Sequence, residues 1–333
     1  MIITRTPYRI SLFGGGTDYP TWYHEHGGSV VGFAINRYNY LTIRRLPPFF
    51  EHKHRIVYSR IETVREIDEI EHPAVRAVFS ELGVRDGVEL HYDGDLPSRS
   101  GLGSSSSFTV GLINALHAMR GRLISKRDLA SEAIRIEQDV IGEAVGSQDQ
   151  TWAAYGGLNR INFLQDGQIS VNPLVLTPGR QRDLMSRFML FFTGLSRLST
   201  VVAKEKIGNL NKRSADLHHL QDLVDEAINI IVGGSSIDDL GNMLHESWMI
   251  KKGLAESVTT TLVDEIYEKA RDAGAIGGKL IGAGGGGFML LYVEPEKQQF
   301  VREALKGLIE VTFDIDRAGS SVIVYEPNGL ENC

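Results

Sequence analysis

The residues best suited to chemistry in this chain are clustered glycines and serines with a few carboxylates close by. The segment Pro97-Ser98-Arg99-Ser100-Gly101-Leu102-Gly103-Ser104-Ser105-Ser106 runs directly into Val110, Ile113, Ala115, Leu116 and Met119 at helical spacing. Gly101 and Gly103, one residue apart, let the backbone turn tightly and aim successive N–H groups at one point. The helix after the turn adds its unpaired amides and the positive end of its dipole, so the turn is suited to hold an anion, most often a phosphate. Serine hydroxyls at such a helix entrance can also reach a Mg²⁺ that bridges two phosphates. A Walker loop is excluded because no lysine follows Gly103. A dinucleotide turn fits poorly because Ser106 stands where a third glycine or alanine belongs. A flexible linker would not sit between the strand-like Val88–Tyr92 and so regular a helix. Further along, Glu137 lies near the end of an amphipathic helix, and Asp149 follows the small residues Gly146 and Ser147.

Other elements must position these groups. Ile2–Thr4 and Tyr8–Phe13 read as strands that break into Gly14-Gly15-Gly16. Ser29–Ile35 and Tyr38–Arg44 read as a strand pair joined by a turn at Asn36-Arg37. Val88–Tyr92 alternates apolar and polar residues, which predicts a strand with one wet face. Lys126–Ile141 predicts an amphipathic helix with Ser125 as its N-cap. Phe188–Thr193 reads as a buried strand, followed by helices over 212–232, 238–254, 259–273 and 296–308 and strands at 288–293 and 321–325. Strands, then helices, then strands again predict an α+β fold in two domains, divided near Pro178 into 1–178 and 179–333.

Composition bounds the rest. A chain of 333 residues favours two domains, and its 42% hydrophobic residues supply a sizeable core. A net charge of -7 argues against a protein built to hold nucleic acid. No stretch is apolar enough for a membrane span, and the N-terminal residues do not read as a signal peptide. The one cysteine, Cys333, permits no internal disulfide, so the expectation is a cytoplasmic protein. His218 and His219 lack the partners of a zinc site.

The string Pro97-x-x-x-Gly101-Leu102-Gly103-Ser104-Ser105 resembles the phosphate-binding motif of the GHMP kinases, a family with two α+β domains and the active site in the cleft between them. Two further segments resemble the family in the expected order. Thr6-Pro7-Tyr8-Arg9 leads through Gly14-Gly15-Gly16 to Thr17-Asp18-Tyr19, similar to the sugar-recognition motif of galactokinases. Gly277 to Phe288, with Gly282, Gly284 and Gly285, resembles the C-terminal glycine loop that supports nucleotide and substrate.

This resemblance implies ATP and Mg²⁺ as cofactors and a small sugar as partner, with room for an oligomer. It implies that Ser105 and Glu137 hold the metal, that Asp149 is the catalytic base, and that Arg9 stabilises the transferring phosphoryl group. It assigns Gly16, Thr17, Asp18, Gly284 and Gly285 to the substrate, and leaves Asp139 and Glu143 as solvated surface. The chain departs from galactokinases at Gly15-Gly16, where those carry Glu-His. Together with Phe192 to Arg197 and His245 to Trp248, the string looks most like kinases of D-glycero-D-manno-heptose 7-phosphate, with fucokinases as close relatives. The first alternative is therefore a kinase of an unphosphorylated sugar. A decarboxylase acting through transient phosphorylation and a catalytically silent sugar sensor are the others. A substrate that already carries phosphate needs cations, and Arg197, Lys251 and Lys252 are the candidates, with Arg44 and Arg45 as substitutes.

Overall fold

The computed structural model describes residues 1–98, 100–194, 205, 207–208, 211–233 and 236–327. Twelve strands form two sheets among the described residues. In chain order they are β1 Ile2–Phe13, β2 Gly28–Arg45, β3 His54–Val57, β4 Ile61–Val64, β5 Val88–Gly94, β6 Leu158–Phe163, β7 Ile169–Pro173, β8 Phe188–Phe192, β9 Ala275–Leu280, β10 Phe288–Val293, β11 Ile309–Glu310 and β12 Ser321–Tyr325. The larger sheet runs β12-β1-β2-β5-β3-β4, with β6 pairing the other end of β2 and β7 pairing β6. The smaller sheet runs β11-β8-β10-β9.

The gap between β7 and β8 contains the expected division at Pro178, but the chain does not divide cleanly there. β12 returns to pair with β1, and Asn36 N–H donates to Asp314 O at 2.8 Å, so Ser321–Tyr325 belongs to the first sheet. One apolar core joins the halves, packing Tyr8, Leu12 and Phe33 with Leu217, Leu220 and Leu290.

Two expectations at the start of the chain are overturned. The predicted pair Ser29–Ile35 and Tyr38–Arg44 is one strand of 18 residues, and Asn36-Arg37 is not a hairpin turn. β1 pairs with β2 on both sides of this point, with Pro7 opposite Tyr38 and Tyr8 opposite Ile35. Asn36 and Arg37 are therefore extra residues bulged out of a continuous ladder, next to Pro7, which has no N–H to give. The two short strands predicted before Gly14 are likewise one, Ile2–Phe13. On the polar face predicted for β5, Glu89 is covered by Arg44, Arg55 and His91, and it is these three that meet solvent.

The Ser104–Met119 helix is buried on nearly all sides and packs on β1 and β2. The predicted helix at Lys126 is α-helical only to Arg135, with Ser125 Oγ accepting from Asp128 N–H at 3.1 Å. Ile136–Val140 then widens into a π turn, a local feature that recurs at functional sites and here carries Glu137.

In the second half, the Asp239–Gly253 helix lies against β9 through two facing glycines. A Cβ on Gly277 would sit 1.8 Å from Gly241 O, although Gly277 has an ordinary backbone conformation. Gly277→Ala should therefore push helix from strand and lower stability by about 3 kcal/mol, the upper end of the range for overpacking. Gly179→Ala, where a Cβ meets nothing within 4 Å, should leave the urea midpoint unchanged. Equal midpoints for the two variants would contradict this packing.

Candidate active site

A cleft of about 800 Å³ collects residues from both halves of the chain. Its centre is the pair Arg9 and Asp149. Arg9 donates from Nε to Asp149 Oδ1 and from Nη2 to Oδ2, both at 2.8 Å, a bidentate charge-assisted pair. Arg9 Nη1 also donates to Gly101 O at 2.6 Å, and Arg9 N–H donates to Leu102 O at 3.1 Å. β1 is thereby fastened to the glycine-serine turn, and Asp149, in the first turn of the Gln148–Tyr155 helix, is held against both. A Cβ on Gly103 would come within 3.3 Å of Asp149 Oδ2, so glycine is what lets the carboxylate approach the turn.

Gly101, Gly103, Ser104, Ser105 and Ser106 line the cleft at the mouth of the Ser104–Met119 helix. Three residues predicted beside them do not form its wall: Pro97 is exposed, Ser100 is buried behind the turn, and the Leu102 side chain lies in the core. Gly287 packs on Ser100 and Gly282 on Gly101 so closely that a Cβ on either would fall 2.1 Å or 2.4 Å from main-chain atoms. The third glycine loop thus interlocks with the first, main chain against main chain.

The expected partnership of Ser105 with Glu137 is replaced by one with Ser106. Ser106 Oγ donates to Glu137 Oε2 at 2.8 Å, and Gln150 Nε2 donates to the same oxygen, while Ser105 is exposed on the cleft wall. Ser104, Ser106 and Ser107 are all buried in this first turn, and the one whose direction meets Glu137 is Ser106. Burial pushes the Glu137 carboxyl up to about 7, and its Oε1 has no hydrogen-bond partner. A buried carboxylate with one empty oxygen beside a serine hydroxyl and the glycine-serine turn fits a magnesium site of the kind completed by phosphate oxygens and water. No group of three or more His, Cys, Asp or Glu side chains forms a self-sufficient metal cage among the described residues.

Asp18 closes the other end. Its Oδ1 accepts from Gly16 N–H at 3.0 Å, its Oδ2 accepts from Gln148 Nε2 at 2.8 Å, and its carbonyl accepts from Ser147 N–H at 2.9 Å. A Cβ on Gly146 would lie 1.8 Å from Asp18 Oδ2, so that glycine makes room for the carboxylate. Gly16 and Asp18 line the cleft. Thr17 does not: its hydroxyl donates to the Gly14 and Ser29 carbonyls and accepts from Ser29 N–H, which makes it a pin for the turn.

Gly284 and Gly285, expected at the substrate, instead pack on Val258, whose carbonyl accepts from Gly285 N–H at 2.9 Å. Gly282 and Ala283 take their place on the wall. Lys251 lines the cleft, with Nζ donating to the Leu280 and Gly282 carbonyls at 2.7 and 2.6 Å. Lys252 pairs with Asp264, Arg44 with Glu89 and Arg45 with Asp86, all away from the cleft wall. Arg197 lies outside the described residues.

Several cleft residues were not anticipated. Glu143, read as surface, lines the cleft, and burial raises its carboxyl above the usual range. Gln148 and Gln150 fix the Asp18 and Glu137 carboxylates, and their only signal in the sequence was adjacency to Asp149. Tyr58, His72, Tyr92 and Phe108 form an aromatic end, with His72 stacked on Phe108 at 4.8 Å between ring centres. Ser59 lies beside them on the wall, whereas Arg55 is turned to Glu89.

Comparison with known proteins agrees with this geometry. The family description "GHMP kinases N terminal domain" matches residues 68–157, and "GHMP kinases C terminal" matches residues 223–309. A D-glycero-alpha-D-manno-heptose 7-phosphate kinase of Campylobacter jejuni is 30% identical over 92% of this chain and 93% of its own. A bifunctional fucokinase/GDP-fucose pyrophosphorylase of Arabidopsis thaliana is 25% identical over 93% of this chain and 31% of its own length. Among solved structures, a D-glycero-D-manno-heptose 1-phosphate kinase from Bacteroides thetaiotaomicron shares the fold with a TM-score of 0.79 at 23% identity, covering 98% of this chain and 100% of that one. A galactokinase of Lactococcus lactis has a TM-score of 0.73 at 20% identity, over 96% and 94% of the two chains. The chain belongs to the GHMP kinases. Within that class it is a sugar kinase, a phosphotransferase with the mixed helix and strand fold of its relatives. No helix among the described residues is long and apolar enough to cross a membrane.

The raised carboxyl of Glu137 has a consequence for stability. A carboxyl raised in the fold favours the folded state below its unfolded value near ~4.3, and that contribution is lost as pH rises through the folded value. Without nucleotide or metal, Glu137→Gln should therefore gain in melting temperature relative to the parent as pH goes from 4.5 to about 7. A melting difference that stays flat across this window would mean that Glu137 is not held in the protonated form.

Proposed function

We propose that this kinase transfers the γ-phosphoryl group of Mg-ATP to the anomeric C1 hydroxyl of D-glycero-D-manno-heptose 7-phosphate, giving the 1,7-bisphosphate. The observation that carries the transfer step is the Asp149 carboxylate fixed by Arg9 against the glycine-serine turn, inside the same cleft as Asp18. The heptose is supported by the 30% identity, over nearly the full length of both chains, to a relative named for that substrate.

Each residue has one task in this reading. The amides of Gly101 to Ser106 and the helix dipole hold the nucleotide phosphates. Ser106 and Glu137 hold Mg²⁺, which when bound neutralises phosphate charge. Ser105, on the exposed side of the turn, faces the phosphates and not the metal. Asp18 accepts hydrogen bonds from sugar hydroxyls, with Gln148 and Gly16 N–H fixing its orientation. Asp149 accepts a hydrogen bond from the attacking hydroxyl and takes its proton as the new O–P bond forms and the bond to ADP breaks. Arg9 aims Asp149 and brings positive charge to the transferring group. Tyr58, His72 and Phe108 supply an apolar seat for adenine. Lys251 and Lys279 bring positive charge to the wall near Ser247, suited to a substrate that carries its own phosphate.

Phosphoryl transfer to the heptose 7-phosphate, measured as ADP release, should exceed transfer to fucose, galactose or mannose. Asp149→Asn should lower kcat by about 10² to 10⁴, the usual contribution of a positioned base, with a smaller change in the KM for ATP. Faster turnover of free fucose or galactose would keep the kinase and discard the heptose. Binding of sugar and nucleotide without any ADP would instead mark a silent sensor.

A further inference from the structure

Lys279 enters the proposed reaction only as a charge, yet its geometry is specific. It stands near the end of β9 in the smaller sheet, is 5% exposed, and lines the cleft. Its Nζ crosses to the larger sheet and donates to Leu12 O at 2.7 Å. In the β1–β2 ladder Ser11 pairs with Gly32 and Phe13 with Val31, a second slip that leaves Leu12 opposite no residue. A residue bulged from a ladder loses its strand partner, and a buried carbonyl without a partner is costly. Leu12 is fully buried, so its carbonyl must be satisfied from elsewhere, and Lys279 supplies the hydrogen bond.

The bulge matters because it leads into the sugar-facing turn. Two residues later the chain enters Gly14-Gly15-Gly16, whose end carries Asp18. Within its own half the turn is held by Thr17 on Gly14 O and Ser29 O, and by Gln148 and Ser147 N–H on Asp18. From the other half it meets apolar side chains: a Cβ on Gly14 would touch Val224, and one on Gly16 would touch Leu217. Those contacts give proximity but no direction. The Lys279 ammonium gives direction, and it belongs to the strand that leads into the Gly282–Gly287 loop seated on Gly101 and Ser100. Lys251 holds the same strand end by its bonds to the Leu280 and Gly282 carbonyls.

We infer that Lys279 is a positioning residue for the acceptor sugar: by holding the Leu12 bulge it sets the Asp18 turn in register with the glycine loops that hold the nucleotide. This inference rests on the proposed assignment of Asp18 to the sugar. It assigns the effect to the sugar side, because the Lys279 bond reaches the strand that leads to Asp18.

The test is steady-state kinetics of Lys279→Met, with Asp18→Asn as reference, each with the KM for sugar and for ATP measured separately. Lys279→Met should raise the sugar KM ~10-fold or more, the scale of a displacement well under 1 Å, and leave the ATP KM within about twofold. Lys279→Gln, which keeps an N–H donor on a shorter arm, should fall between Met and the parent, and serves alone if the Met variant does not fold. A sugar KM unchanged in the Lys279 variants, while Asp18→Asn raises it, would overturn the inference and leave Lys279 a plain structural contact. Equal increases in the two KM values would overturn it as well. An Asp18→Asn variant that changes only the ATP KM would instead sink the assignment of Asp18 on which the inference rests.

Discussion

The site depends on main chain meeting main chain with no side chain between. Gly282 on Gly101 and Gly287 on Ser100 each leave no space for a Cβ, and Gly146 likewise leaves room only for the Asp18 carboxylate. This constraint explains why glycines cluster in segments far apart in sequence, since turns this close can be built only from residues without a Cβ. It also makes the glycine-serine turn rigid without a large apolar lining. A turn whose amides must point at an anion cannot also be filled with side chains, so its support comes from another turn behind it.

On this scaffold the charged groups are oriented by a small number of specific bonds. Arg9 grips both oxygens of Asp149 and the carbonyl of Gly101, so one side chain ties the first strand, the glycine-serine turn and the Gln148–Tyr155 helix. Asp18 and Glu137 are each oriented by a glutamine from the segment that carries Asp149. That segment is therefore the organising element of the cleft, placing one carboxylate and aiming two others. The environments of these carboxylates differ. Glu137 is sealed from water and its carboxyl is raised by burial, whereas Asp149 sits at the open wall in a charge-assisted pair.

Much of this was legible in the sequence because glycine, proline and charge have local meanings. The tight turn followed from Gly101 and Gly103 before a helix, and Ser125 was readable as a cap. What was not legible depends on partners distant in sequence. Nothing near Asn36-Arg37 says that β1 runs opposite on both sides and turns an apparent hairpin into a bulge. Nothing near Glu89 says that Arg44 and Arg55 will cover it. The choice between Ser105 and Ser106 turned on one step of helical phase, about 100° by the 3.6-residue period, and the sequence alone does not set that phase. Gly284 and Gly285 were misplaced for a similar reason: a run of glycines marks close approach, but not which glycine faces the cleft and which faces Val258.

The central claim is that the cleft joins a phosphoryl group to the anomeric oxygen of a heptose that already carries phosphate. The most direct measurement is phosphorus NMR of a single turnover with Mg-ATP and D-glycero-D-manno-heptose 7-phosphate. A new sugar-phosphate resonance coupled to the anomeric proton is expected, formed in step with ADP while the original 7-phosphate signal persists. Appearance of inorganic phosphate instead, or of a new ester coupled to any other ring proton, would contradict it.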